Sequence, residues 1–239
     1  MPELFQRKLI QILPERANEP TRTLSSVSNK GNYISLRPLI KATTEEEENF
    51  PFECCFAGFT KSCEVSKVDE ATNKQSYKFD IHTNRLLDLP IQDTWADTYW
   101  KTWPSGDIEE TGTLYPFGPD TKGVDFVELW QPINAETYTS KDNFLVGATE
   151  PNARSVTLKL DSDDYYGITV IIGDVVQGVL HKKKDKKDIA VLRCVVDKET
   201  LRFKKYEIKF GSSLLKFPSE LPASLVVGSF INGWEIVEA

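Results

Sequence analysis

The chain has 239 residues, 40% hydrophobic and 11% aromatic, and a formal net charge of −7. That apolar mass is ample for one large core or two small ones, while the acidic balance disfavours nucleic acid, since no surplus of lysine and arginine is present to displace counterions from a duplex. Glu3, Arg7 and Lys8 break up the N-terminus before any signal-peptide run can form, and the longest apolar runs are far shorter than the roughly 18 residues of a spanning helix. A soluble protein without membrane insertion, cytoplasmic or nuclear, is the expectation.

In chain order, "TRTLSSVS" and "NYISLRP" flank "NKG" as a hairpin, and "TTEEEEN" follows as a solvated acidic loop in which Thr43 and Thr44 precede four glutamates, a context for acidophilic kinases. "PFECCFAGF" and "QSYKFDIHT" are rich in strand formers. "WADTYWKTW" places Trp95, Tyr99 and Trp103 on one face of either a strand or a helix. We read it as a strand whose aromatic face packs the core. "DIEETGTLYPFG" and "DFVELWQ" supply later strands. The crowded stretch between them, with Gly112, Gly118, Pro116 and Pro119 beside Phe126, Leu129 and Trp130, reads as a packed corner of the chain.

Residues 134–153 are polar and prolyl and make the best linker, which divides the chain into an N-terminal β domain at 1–133 and a C-terminal one at 154–239. "RSVTLKL" then alternates Val156, Leu158 and Leu160 against Ser155, Thr157 and Lys159, the pattern of a half-buried strand. "GITVIIG", "VVQGVL" and "IAVLRCVV" continue the sheet, with "KKKDKK" as a charged hairpin tip between the last two; a nuclear-import patch or an anionic docking surface is the other reading of that run. In "LRFKKYEIKF" the apolar parity switches, which calls for a β-bulge near Lys204 and Lys205. Asn232-Gly233 is a type I′ hairpin signal. Such a meander commonly closes into a barrel to remove its edges.

Catalytic motifs are sparse. There is no GxSxG elbow, HExxH or phosphate-binding glycine loop, and only two histidines, His82 and His181, neither at metal-ligand spacing from another. Glu109 and Glu110 are neighbours, so on a strand they face opposite sides and do not form an acid–base pair. "DSDDYYG" from Asp161 begins like a calcium loop but has Tyr165 where an oxygen ligand is needed. Cys54, Cys55, Cys63 and Cys194 lack zinc or disulfide spacing and read as reduced thiols, Cys54 and Cys55 as packing residues. No catalytic, cofactor-binding or metal-binding residue is singled out, and no cofactor is expected.

Several motifs in order carry a resemblance: "TLSSVS", "YISLRP", "FPFE", "WKTW", "EETG", "YPFG", "ELWQP", "NARS", "VIIG" and "GWEIVE". Over essentially its whole length the chain resembles the fungal Hri family, named for interaction with the yeast casein kinase I called Hrr. The resemblance implies an all-β protein of two lipocalin-like antiparallel β-barrels with few short helices, cytoplasmic and nuclear, without established enzymatic activity. It also implies association with a casein kinase I homologue and with a subunit of the Sec translocation complex, and supplies no contact residues. A non-catalytic protein-interaction protein is therefore the leading expectation, with a lipocalin-like carrier of a small apolar ligand as the alternative.

Overall fold

The computed structural model describes residues 1–91, 95–115 and 121–239. The all-β class holds: among these residues there are seventeen strands and two short α-helices. The N-terminal strands are β1 (Glu3–Ile12), β2 (Leu24–Val27), β3 (Tyr33–Pro38), β4 (Phe52–Gly58), β5 (Cys63–Lys67), β6 (Thr72–Tyr77), β7 (Ile81–His82), β8 (Ala96–Thr102), β9 (Ile108–Leu114) and β10 (Val124–Pro132). They form one ten-stranded sheet in the order β5-β6-β8-β9-β10-β1-β2-β3-β4-β7. Seven more strands, β11 (Ser155–Asp161), β12 (Tyr165–Ile172), β13 (Val175–Lys182), β14 (Ile189–Val196), β15 (Phe203–Phe210), β16 (Phe230–Ile231) and β17 (Trp234–Glu238), make a second sheet in the order β15-β14-β13-β12-β11-β17-β16.

The chain forms two compact units, neither of them continuous in sequence. Unit 1 comprises Met1–Leu4, Ser26–Ser35 and Ile133–Ala239; unit 2 comprises Phe5–Ser25 and Leu36–Pro132. The segment read as a linker belongs to unit 1, where Ala135, Tyr138 and Ala153 are buried. Tyr138 donates its hydroxyl hydrogen to Glu207 at 2.7 Å, and the Lys141 amide donates to the same carboxylate at 2.6 Å.

Five antiparallel strands in succession, β11 to β15, form the meander read from the sequence. Lys183 to Asp188 make the tip between β13 and β14. The bulge falls where the parity switches: Arg193 pairs with Ile208 and Val195 with Lys204, and Lys205 adopts φ 50°. At the last hairpin Asn232 and Gly233 have φ 49° and 84°, and Ile231 pairs with Trp234 across a two-residue turn.

β11 departs from the half-buried expectation. Val156, Leu158 and Leu160 join a core cluster with Leu192, Phe217 and Trp234, but Ser155 and Thr157 on the opposite face are buried too. Their hydroxyls donate to Glu238 at 2.8 and 3.3 Å, and that carboxylate also accepts from Ser28 Oγ at 2.5 Å and Asn32 Nδ2 at 2.7 Å. A polar face is thus hidden by giving it a carboxylate to bind, which meets the requirement that buried polar groups be paired.

Three readings need correction, and one strand was missed. β1 was not anticipated, because its charged residues mask a ten-residue strand. "TTEEEEN" is not a loop: Glu45–Asn49 form helix α1, with Thr44 Oγ1 accepting from the Glu47 amide as the N-cap. Trp95, Tyr99 and Trp103 do not pack a core but are 37%, 44% and 40% exposed; the opposite parity of β8 turns inward, so that Thr98 is buried and Trp100 stacks on Trp130 with ring centroids 6.0 Å apart. Gly112 is not at a corner. It lies mid-strand, opposite Thr98 and Phe126, where a Cβ would come within 2.9 Å of the Phe126 ring and 3.1 Å of the Asp97 carbonyl oxygen. Pro116, Gly118 and Pro119 fall outside the described residues.

Candidate functional site

The inward positions of the ten-stranded sheet gather charge. Register sets this up. On β10, Glu128 lies opposite Glu110 of β9, and two residues on, Trp130 lies opposite Arg7 of β1; positions opposite one another on adjacent strands share a face, as do positions two apart along a strand. Phe126, Glu128 and Trp130 are accordingly all buried.

Arg7, whose side chain is fully buried, is the hub. Its Nε donates to Glu19 at 2.8 Å, one terminal nitrogen to Glu128 at 2.6 Å, and the other to Glu53 at 2.6 Å and Thr21 Oγ1 at 3.0 Å. Arg37 on β3 reaches the same two acids, Glu53 at 2.9 Å and Glu128 at 3.0 Å, and its guanidinium lies 5.0 Å from the Phe56 ring centroid. Two guanidiniums therefore hold three carboxylates, an arrangement in which the planar fork of arginine satisfies several oxygens at once. Burial would raise the Glu53 carboxyl, but Arg37 and Arg7 overcome it and pull the pKa down to about 2.

Glu110 is the odd member, with no hydrogen bond from either arginine among the contacts of this cluster. Its Oε2 accepts from Trp130 Nε1 at 2.9 Å, and Thr98, which itself accepts from Trp100 Nε1 at 2.8 Å, bonds its carboxyl as well. Burial first, and the Glu128 charge second, push its pKa up to about 8. Glu110 is thus held as a neutral carboxylic acid at pH 7, facing the arginine-bound Glu128.

Two carboxyl groups set side by side in different surroundings are a pairing that general acid–base catalysis uses. Here both are shut away from solvent, at 6% and 2% exposure, and every oxygen named is engaged by an arginine, a threonine or an indole. The arrangement joins strands β1, β3, β4, β9 and β10. Glu109, its neighbour, points to the other face, as strand geometry requires.

The remaining candidates lie apart from any such chemistry. His82 is buried at the end of β7, where its Nδ1 accepts from the Asn84 amide at 3.2 Å; burial, then Arg37 and Arg85, drive its pKa down to about 3. Cys54 and Cys55 are both buried in β4, and burial lifts the Cys54 thiol to about 12, so it carries no thiolate at neutral pH. Asp161 pairs with Lys159 and Lys183 at 2.8 and 2.9 Å. Thr43 and Thr44 are exposed, and both bond Glu47 of α1. No group of three or more His, Cys, Asp or Glu suited to a metal ion occurs among the described residues, and no helix there is long and apolar enough to cross a membrane.

The buried cluster left little trace in the sequence. Arg7 and Glu128 are 121 positions apart, and nothing in either neighbourhood marks the pair.

Comparison with known proteins fixes the family. The family model described as Protein HRI1 matches residues 3–238. The chain belongs to the HRI1 family. It is 40% identical over 247 residues to Protein HRI1 of Vanderwaltozyma polyspora, covering 100% of this chain and 99% of that protein, and 38% identical over 252 residues to Protein HRI1 of Lachancea thermotolerans, covering 100% and 93%. A Saccharomyces cerevisiae Protein HRI1 is 35% identical over 249 residues, with 100% and 99% covered. Among solved structures, the uncharacterized protein YLR301w of Saccharomyces cerevisiae superposes with a TM-score of 0.89 at 34% identity, over 100% of this chain and 98% of that one.

Proposed function

We propose that this HRI1-family chain is a non-catalytic protein-interaction protein that presents the outer face of its ten-stranded sheet to a partner. One observation carries the reading: Trp95, Tyr99 and Trp103 all turn outward from the region of β8, although strands normally spend such side chains on packing. Tyrosine and tryptophan bury a large area at small entropic cost, which is why they dominate binding hot spots. Lys101 stands beside them, its Nζ 4.3 Å from the Trp103 ring centroid. On the inner face the ionisable groups are tied up in strand-to-strand bonds, which supports a structural and not a catalytic role for them.

The partner implied by the family resemblance is a casein kinase I homologue, with a Sec translocation complex subunit as the second; cytoplasm and nucleus are the compartments that the resemblance implies. A pull-down with purified casein kinase I tests this. The full chain should retain the kinase and the Tyr99→Ala, Trp103→Ala double variant should not, at unchanged melting temperature. Absence of any complex, under conditions where a known kinase partner is captured, would end the proposal.

Carriage of a small apolar ligand is the alternative. The inner face of the ten-stranded sheet offers such a ligand arginine and glutamate, so carriage would fall to the apolar core side of the seven-stranded sheet around Leu158, Phe217 and Trp234. Native mass spectrometry of cell-purified protein separates the two readings: an added mass on the chain favours a carrier, and the bare mass in every preparation removes it.

A further inference from the structure

Unit 1 carries a surface of different chemistry. β15 is the terminal strand of the seven-stranded sheet and leads through Gly211 into a 3-10 turn at Ser212–Lys216. The side chains of Leu214-Leu215-Lys216-Phe217 sort sharply. Phe217 is buried and stacks on Trp234 with centroids 5.4 Å apart, Leu214 packs against the core cluster, and Leu215 is 98% exposed. The turn is anchored on both sides of that leucine, because Trp234 Nε1 donates to the Lys216 carbonyl at 2.7 Å and the Phe217 amide donates to the Leu214 carbonyl at 3.1 Å. An apolar side chain held outward by an anchored turn has no packing role within the chain.

Its neighbours are cationic. Lys209 pairs with Leu192, a member of the core cluster that also contains Phe217, so Lys209 emerges on the same face of the sheet as the turn. The Lys209 Nζ lies 4.2 Å from the centroid of the exposed Tyr206 ring, and the Lys216 Nζ lies 5.0 Å from that of Tyr165. Lys205, Lys209 and Lys216 make no ion pair among the described residues, whereas Arg202 and Lys204 pair with Glu220 and Asp197. The one acid between residues 202 and 216, Glu207, is taken by Tyr138 and the Lys141 amide, and Asp188, the acid that reaches the turn from outside it, accepts from the Ser212 and Ser213 hydroxyls.

We propose that this surface docks reversibly on an anionic phospholipid bilayer, with Leu215 entering the acyl boundary and Lys209 and Lys216 lying among the headgroups. Complementary charge and a projecting apolar anchor are what interfacial binding needs, and Tyr206 and Tyr165 have the amphipathic rings that settle at headgroup depth. One leucine with a few lysines gives weak attachment that salt screens away. This is independent of the β8 surface.

Co-sedimentation of the full chain with phosphatidylcholine vesicles, with and without phosphatidylserine, is the test. At low ionic strength the protein should pellet only with the phosphatidylserine vesicles and should be released by added salt. Each of Lys209→Glu and Lys216→Glu should lower partitioning by roughly fivefold or more, and Leu215→Ser by roughly tenfold. Leu215 is almost wholly exposed, so the Leu215→Ser protein should keep the wild-type melting temperature. Failure to pellet with phosphatidylserine vesicles at low salt, equal pelleting with phosphatidylcholine alone, or full binding by the folded Leu215→Ser and Lys209→Glu proteins would each overturn the proposal.

Discussion

Replacing Glu110 by glutamine should stabilise the protein in alkaline solution. Glutamine reproduces the neutral acid, and its oxygen keeps the acceptor for Trp130 Nε1. The wild-type carboxyl has a folded pKa of about 8 against an ordinary 4.5, so between those values the folded state holds a proton that the unfolded chain has lost, and stability falls as pH rises. At about 1.36 kcal/mol per unit the whole shift amounts to about 5 kcal/mol. His82 works in the opposite sense. Its folded pKa of about 3 lies below the ordinary 6.5, so stability falls as pH drops below 6.5. The two slopes offset one another between pH 4.5 and 6.5, where His181, also lowered by burial, adds a slope of the His82 sign; from pH 6.5 to 8 the Glu110 slope dominates, over one and a half units, or about 2 kcal/mol. Urea unfolding followed by tryptophan fluorescence at pH 6.5 and pH 8 measures that difference. The wild type should lose about 2 kcal/mol between the two, and Glu110→Gln should lose almost nothing. An equal loss in both proteins, or a variant less stable than wild type at pH 8, would refute the idea that Glu110 is a neutral hydrogen-bonded acid.

Arg7→Met should cost about 3–5 kcal/mol, because Glu19 loses its arginine and the buried Glu128, with Glu53, is left to share Arg37 alone; thermal melts of wild type and variant measure it, and a loss below about 1 kcal/mol would show that the cluster is better solvated than its geometry implies. Glu238→Ala should destabilise unit 1 by about 2–3 kcal/mol, since Ser28, Asn32 and Ser155 all lose their acceptor. Hydrogen exchange should then rise in β11 and in residues 28–32, and an unchanged exchange map would contradict the assignment.

Legibility of the sequence depended on whether a residue's role was local. The Asn232-Gly233 hairpin was readable because positive φ at both positions is a property of those two residues alone, and the bulge at Lys205 because it repairs a visible break of parity. The runs "GITVIIG" and "IAVLRCVV" lack alternation for a physical reason: β12 and β14 are covered on both faces, and even Gln177 and Arg193 of the sheet are buried. The charged cluster was invisible. Arg7 and Glu110 break the apolar alternation of their strands, and what justifies each is a partner from another strand, brought opposite only by the folded register. The aromatic face of β8 shows the complementary failure, since Trp95, Tyr99 and Trp103 obey strand periodicity but periodicity does not say which face is inside. The inward face was chosen by Thr98 and Trp100, which bond or stack with Glu110 and Trp130.

The division between a sealed interior and a working exterior is tested most directly by biolayer interferometry of casein kinase I on immobilised protein. Tyr99→Ala with Trp103→Ala should weaken affinity by at least about thirtyfold, two hot-spot losses of roughly 1–2 kcal/mol each, while Glu110→Gln should bind as wild type. Equal affinity across all three proteins would take the binding surface away from β8, and loss of binding in Glu110→Gln alone would place it inside the sheet; either result contradicts the account.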